Sequence, residues 1–391
     1  MWSQRLRDLL PAGGAAPVAV GVLVVAVLFG FCRAPLRAQQ ETFEGGTAVT
    51  LVEVPVTVIR DGEPLDDLTA DDFELYDEGE RQEIRTFERI AIDPHEEPER
   101  VRGVLTPRAR AARRNFLFLF DLAYADSRRL GGAAAALEHL LADNLAPSDR
   151  VGVAFFSGLR GFQWVLGLTD RHEDAARALE LMRAVIDSDR RRARRLLDGW
   201  SPGGRIVPAE ARPDPDQIVA EAGVSGLNRG GDDWATSSIL RFLVRGLTQM
   251  TESTAGVDGR KYLVHLSYGL PNRVATGGSQ EGARVLDQLQ EIKRACRTSG
   301  WAIQSVNLAG LGWGRDSLLM MAHDTGGQLF TNSNNVATLV QEVEVSTRVS
   351  YVLGFQPEGL EANGKYHKLD VRLRNAPHGT RVIHRPGYYP R

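Results

Sequence analysis

Asn115-Phe116-Leu117-Phe118-Leu119-Phe120-Asp121-Leu122-Ala123-Tyr124-Ala125-Asp126-Ser127 is an apolar run that stops on a carboxylate. Five large apolar residues in succession, with no polar alternate, describe a strand buried on both faces, the kind found in parallel sheets covered by helices. The chain beyond it repeats that theme. Helical periodicity over 130–145 is followed by strands at 151–156 and 162–168 and a helix at 173–186. After an interruption come helices at 236–251, 281–298, 315–324 and 336–345, separated by strands at 262–266, 302–307 and 328–330. Residues 115–346 therefore read as an α/β, Rossmann-like, mostly parallel sheet with helices on both faces. In such sheets ligands sit beyond the carboxyl ends of the strands, which places Asp121 where function is expected.

The interruption, 187–233, reads as an exposed, mobile insertion. It carries Arg190, Arg191, Arg192, Arg194 and Arg195, then Pro202, Gly203, Gly204, Pro208, Pro213 and Pro215, without apolar period. The arginines read either as a grip for an acidic partner or as a solvated helix end with its loop.

Two β-rich segments flank this block. In 47–90, Val52, Val54, Val56 and Val58 alternate with less apolar residues, the period of a half-buried strand. Pro55 cannot donate to a ladder, so an edge position is expected for that strand. Thr69 caps a helical turn, Phe73–Tyr76 is a second strand, Asp77-Glu78-Gly79 a hairpin turn, and Ile84 with Phe87 a third strand. Asp66, Asp67, Asp71 and Asp72 lack the alternate-residue spacing and central Gly of an EF-hand calcium loop and read as a solvated turn. Residues 91–114 are charged and aperiodic, hence a linker. The segment 350–391 supplies strands at 351–355, 368–373 and 380–384, with Asn363-Gly364 as a turn. Neither segment can bury a core alone, so pairing of the two into a small β-sandwich is expected.

At the amino terminus, Arg5 and Arg7 precede an uncharged apolar run from Ala15 to Cys32. That order is the mark of a secretory signal, with Ala38 as a cleavage position, and residues 1–40 read as a signal peptide or an uncleaved membrane anchor. The expected location is exported: periplasmic, secreted or anchored, with membrane contact only through this segment. The 391 residues carry 47 Lys+Arg against 50 Asp+Glu, a balance that argues against a nucleic-acid partner. Two cysteines, one of them in the leader, exclude a disulfide scaffold or a Cys-rich zinc site.

Four segments in order carry a resemblance: VEVPVTVIRDGEPLDDLTADDFELYDEGERQEIRTF, NFLFLFDLAYADS, KYLVHLSYGLPN and VSYVLGFQPEGLEANGKYHKLDVRL, with RPGYYP at the end. Together, from Thr47 to Pro390, they resemble the von Willebrand factor A-related proteins abundant in acidobacteria. The resemblance implies a six-stranded, mostly parallel sheet flanked by helices. It also implies a metal-ion-dependent adhesion site, in which an Asp-x-Ser-x-Ser loop, a Thr and a late Asp bind Mg²⁺ and a partner carboxylate completes the shell. Here Asp121 matches the first position, Thr236 is the match for the Thr, Ala123 and Ala125 replace the serines, and Tyr268 stands in place of the late Asp. The site is degenerate, with Asp126, Ser127, Asp232 and Asp233 near enough in sequence to rescue part of it. Asp121 reads either as a Mg²⁺ ligand with Thr236 or as a helix cap or turn-former.

No Gly-x-Ser-x-Gly elbow, phosphate loop or His-Glu-x-x-His helix is present. His265 reads as a core histidine with a backbone partner, His172 as a surface cap and Cys296 as a small buried residue. The primary expectation is a non-catalytic extracytoplasmic binding module that works without a cofactor. It would present Asp121, Tyr124, Asp126, Ser127, Trp234, Thr236, Tyr268 and Arg273 to an unknown protein or surface ligand, with aromatics and arginine as anchors. The alternatives are a divalent-metal-dependent adhesion domain with a rearranged shell and a hydrolase using Ser157 or Ser267.

Overall fold

Val52, Val54, Val56 and Val58 all point inward along the first strand, β1 (Val52–Arg60), while Glu53 and Pro55 face out. In chain order there follow β2 (Glu63–Pro64), β3 (Phe73–Asp77), β4 (Glu80–Gln82), β5 (Thr86–Ala91), β6 (Arg100–Val101) and β7 (Val104–Leu105). Then come β8 (Arg114–Asp121), β9 (Arg150–Ser157), β10 (Gly161–Thr169), β11 (Arg260–Ser267), β12 (Trp301–Asn307) and β13 (Leu329–Phe330). The last four are β14 (Val349–Phe355), β15 (His367–Leu373), β16 (Thr380–His384) and β17 (Gly387–Tyr388). The computed structural model describes residues 51–198, 200, 216, 218, 233–270, 280–310, 314–331, 333–357 and 365–390, and of 233–235 and 281 the backbone only. Residues 1–50, most of 199–232, Asp232, Arg273 and Asn363-Gly364 lie outside the described residues. Among the described residues, no helix is long and apolar enough to cross a membrane.

The central sheet is mixed, in the order β10-β9-β8-β11-β12-β13. Five strands run parallel, and β10 returns antiparallel to β9 across a short turn. The Phe116–Phe120 run sits in the middle of it, and successive side chains enter opposite layers. Phe116, Phe118 and Phe120 pack with the helices Ser127–Asp143, His172–Ile186 and Val336–Ser346. Leu117 and Leu119 pack with Asp233–Ser253 and Gln280–Ser299. Burial on both faces is why this strand shows no polar alternation.

The flanking segments interleave. One sheet has the order β16-β1-β14-β5, with β2 hydrogen-bonded to β1; a second has the order β17-β15-β3-β4. Val54, Val56, Phe73, Leu75, Tyr351, Leu353, Phe355, Leu369 and Val371 form the core they share.

Three expectations are corrected here. The strand carrying Pro55 is not at an edge: β1 lies between β14 and β16. Proline is tolerated because the β16 ladder begins only at Val56, so Pro55 faces a paired strand, through Val352 of β14, on one side alone. Residues 91–114 are not a bare linker, since β6 and β7 form a hairpin and Pro107–Ala112 is a helix capped by Thr106. Within the insertion, Arg190–Leu197 is a helix that is not wholly exposed; Asp189 caps it and Ala193 and Leu197 are buried. Arg192 pairs with Glu180 at 3.1 Å, so part of this cluster is spent on the protein itself. In the acidic turn, Asp66 pairs with Arg89 and Asp72 accepts from the Thr69 hydroxyl at 2.8 Å.

Candidate functional site

The loops at the carboxyl ends of β8 and β11 meet over Asp121. Its carboxylate is 3% exposed and turned back into the protein. One oxygen, Oδ1, accepts hydrogen bonds from the backbone N–H groups of Ala123 and Tyr124, both at 3.0 Å. The other, Oδ2, accepts the Ser267 hydroxyl at 2.5 Å. Ser267 in turn accepts from the N–H of Gly269 at 2.9 Å, so the hydroxyl bridges the two loops. An aspartate bonding to N–H groups two and three residues on is a turn-forming arrangement.

His265 occupies the same end of β11 and is 4% exposed. Among the described residues neither ring nitrogen has a hydrogen-bond partner; Nε2 lies 3.7 Å from Asp121 Oδ2. The expected backbone partner is not found among the described residues, because the ring is directed at the neighbouring strand's carboxylate rather than along its own chain.

Tyr124 is 1% exposed, which corrects its assignment as an exposed anchor: apolar contacts with Leu117-side residues hold it in the core. Burial first, and the Asp121 charge second, push its phenol up; Thr236 pulls the other way, although the pair misses hydrogen-bond alignment. Thr236 is 2% exposed on its helix. Asp121, Tyr124 and Thr236 are therefore brought together, but beneath the surface. Asp126 caps the following helix through the N–H of Arg129 at 2.9 Å and accepts the Tyr268 hydroxyl. Asp126, Ser127 and Tyr268 are part-exposed and form the outer layer of the site. For Trp234 only the backbone is described, in the helix with Thr236, and Arg273 lies outside the described residues.

A close backbone approach fixes the Tyr268 loop. Gly269 and Gly314 both have positive φ, at 77° and 63°, and a Cβ on Gly314 would sit 1.9 Å from the carbonyl oxygen of Tyr268. The N–H of Leu270 is held by Ser317 Oγ at 2.9 Å.

Mg²⁺ asks for a near-octahedral oxygen shell. The residues present do not fit it. Ala123 and Ala125 are buried methyls at the serine positions. Asp121 is already committed to three donors, and the Tyr268 hydroxyl faces Asp126 instead of supplying a carboxylate. Nor do the two serines resemble activated nucleophiles. Ser157 and Ser267 are fully buried; one accepts from the N–H of Arg160, the other donates to a carboxylate. Cys296 is buried and its thiol is pushed up to about 12 by that burial.

No family model and no curated protein matches the chain. Among solved structures it is similar to proximal thread matrix protein 1 from the mussel byssus, at 14% identity and a TM-score of 0.34 over 60% of this chain, which spans 48% of that one. It is also similar to BatB from Bacteroides thetaiotaomicron (14% identity, TM-score 0.30, 60% of this chain and 98% of that chain). A third is the N-terminal domain of TFIIH p34 (11% identity, TM-score 0.32, 60% and 97%). Likeness at this level specifies neither a ligand nor an activity.

Proposed function

We propose that this chain is a non-catalytic, extracytoplasmic binding module of the von Willebrand factor A-related type, in which the metal-ion-dependent adhesion site is replaced by a self-satisfied hydrogen-bond cluster. One observation carries the reading: the Asp121 carboxylate is consumed by Ala123, Tyr124 and Ser267 of the same chain. A carboxylate so engaged supports the turn and leaves attachment to the surface above it. Among the described residues that surface comprises Asp126, Ser127 and Tyr268; Trp234 and Arg273 are added to it from the sequence alone. An aromatic with a polar tip and a guanidinium suit a metal-free protein interface. The extracytoplasmic location rests on the basic-then-apolar leader.

The test is capture of partners from an extracytoplasmic extract on immobilised protein, with and without EDTA. Capture is expected to survive EDTA and to fall at least about tenfold in Tyr268→Ala/Arg273→Ala, since loss of two interface anchors removes about 1.4 kcal/mol or more. Unchanged capture by the double variant would remove this face from the proposal.

A further inference from the structure

Away from that rim, the hairpin between β3 and β4 meets the start of β15. Asp77 closes β3 and is 7% exposed. Its Oδ2 accepts the Tyr388 hydroxyl at 3.0 Å, while Oδ1 has no hydrogen-bond partner among the described residues. That free oxygen faces His367 Nδ1 at 3.4 Å, a nitrogen that also lacks one. The two are close enough to count as an ion contact but are not aligned for a hydrogen bond. The Glu78 carboxylate completes the group: ligand atoms of Asp77, Glu78 and His367 all lie within 4.8 Å of one another.

We propose that Asp77, Glu78 and His367 form a divalent transition-metal site of the zinc type. The donor set is one imidazole and two carboxylates, which suits Zn²⁺ rather than Ca²⁺ or Mg²⁺, whose shells call for six or more oxygens. Zinc bonds of about 2.0–2.2 Å in tetrahedral geometry put neighbouring ligand atoms about 3.3 Å apart, and the His367–Asp77 separation already meets that. A fourth position is left to solvent, as in three-ligand zinc sites.

The surroundings orient the ligands. Tyr388 fixes the Asp77 carboxylate by its hydrogen bond, and its ring lies 5.2 Å from that of His367, holding the imidazole plane. Such outer partners are characteristic of built metal sites. The hairpin is held against β15 by Glu78, whose N–H donates to the Lys368 carbonyl at 2.9 Å and whose Oε1 accepts from the Lys368 N–H. Glu78 is exposed and borders a cleft of about 640 Å³ that also touches Lys368, His384 and Arg372. An ion here would tie a hairpin near the start of the chain to a strand near its end, 290 residues apart, counting from Glu78 to Lys368.

The experiment titrates the metal-stripped full chain with Zn²⁺ by calorimetry in a non-chelating buffer containing millimolar Mg²⁺, and repeats it with Co²⁺ by visible absorption. One equivalent per chain is expected, with tetrahedral Co²⁺ bands and a rise in melting temperature on adding Zn²⁺. His367→Gln and Glu78→Gln, both checked for native circular dichroism, are each expected to weaken Zn²⁺ binding at least about tenfold. Glu78 is exposed, so its variant keeps the test valid if His367→Gln does not fold. Absence of stoichiometric uptake by the wild-type chain, or unchanged affinity in either folded variant, overturns the site.

Discussion

Arg114→Met is expected to cost about 3–5 kcal/mol of folding stability, because it strands buried carboxylates. The Arg114 guanidinium, at the amino end of β8, is fully buried, as are Asp149 and Glu344. Nη2 donates to Asp149 Oδ2 at 2.6 Å and Nε to the same carboxylate; Nη1 donates to Glu344 at 3.0 Å and to the Thr347 hydroxyl at 3.1 Å. Burial opposes the charge on Arg114, but Asp149 and then Glu344 outweigh it and leave its pKa raised. The cluster joins the central strand to the turn before β9 and to the end of the helix Val336–Ser346. Glu344 retains Arg348 at 2.6 Å, so most of the loss falls on Asp149. Arg114→Met/Asp149→Leu should recover only part of it, since Asp149 also accepts the N–H of Ala146 at 2.9 Å. Urea midpoints at an unchanged slope read the difference directly. A cost under about 1 kcal/mol would mean that these charges behave like a solvated surface pair.

Asp121→Ala is expected to cost about 3 kcal/mol, again with the midpoint moving and the slope fixed. It leaves two backbone N–H groups and the Ser267 hydroxyl buried without an acceptor, each worth about 1–3 kcal/mol when orphaned. Asp121→Asn should cost less, because an amide oxygen still accepts from the two N–H groups. Direction matters more than size. A carboxylate held open for a ligand is a source of strain, and removing it tends to leave stability unchanged or improved. Destabilisation by Asp121→Ala together with rescue by Asp121→Asn marks a structural turn; a neutral or stabilising Ala variant would contradict that role.

Local pattern revealed much of the architecture. Phe116–Phe120 announces a two-sided strand because both layers around it are apolar, and the valines at 52, 54, 56 and 58 announce a one-sided one because alternate positions see solvent. Periodicity reports which face is buried, but not which strand lies alongside. Pro55 therefore suggested an edge, when the shortness of the β16 ladder is what accommodates it. The site was less legible for the same reason. Asp121 is marked by its place after a strand, yet its partner Ser267 is 146 residues away. Tyr124 looks like a loop aromatic in sequence and is buried in the layer that Leu117, Leu119 and the helix Asp233–Ser253 share. Arg114 closes a run of arginines that reads as linker; nothing local distinguishes it from the exposed Arg108. The Asp77–His367 contact has no signal in sequence, since a hairpin turn and a distant strand create it.

The account rests on Asp121 serving its own loops instead of a cation. The direct measurement is calorimetric titration of the folded full chain with Mg²⁺ to about 5 mM, beside the Asp121→Asn variant, at fixed ionic strength. At that concentration a site with a dissociation constant of about 0.05 mM would also stabilise the fold by about 2.7 kcal/mol. No saturable heat and no shift in unfolding midpoint are predicted for either protein. Saturable Mg²⁺ binding that Asp121→Asn abolishes would contradict it.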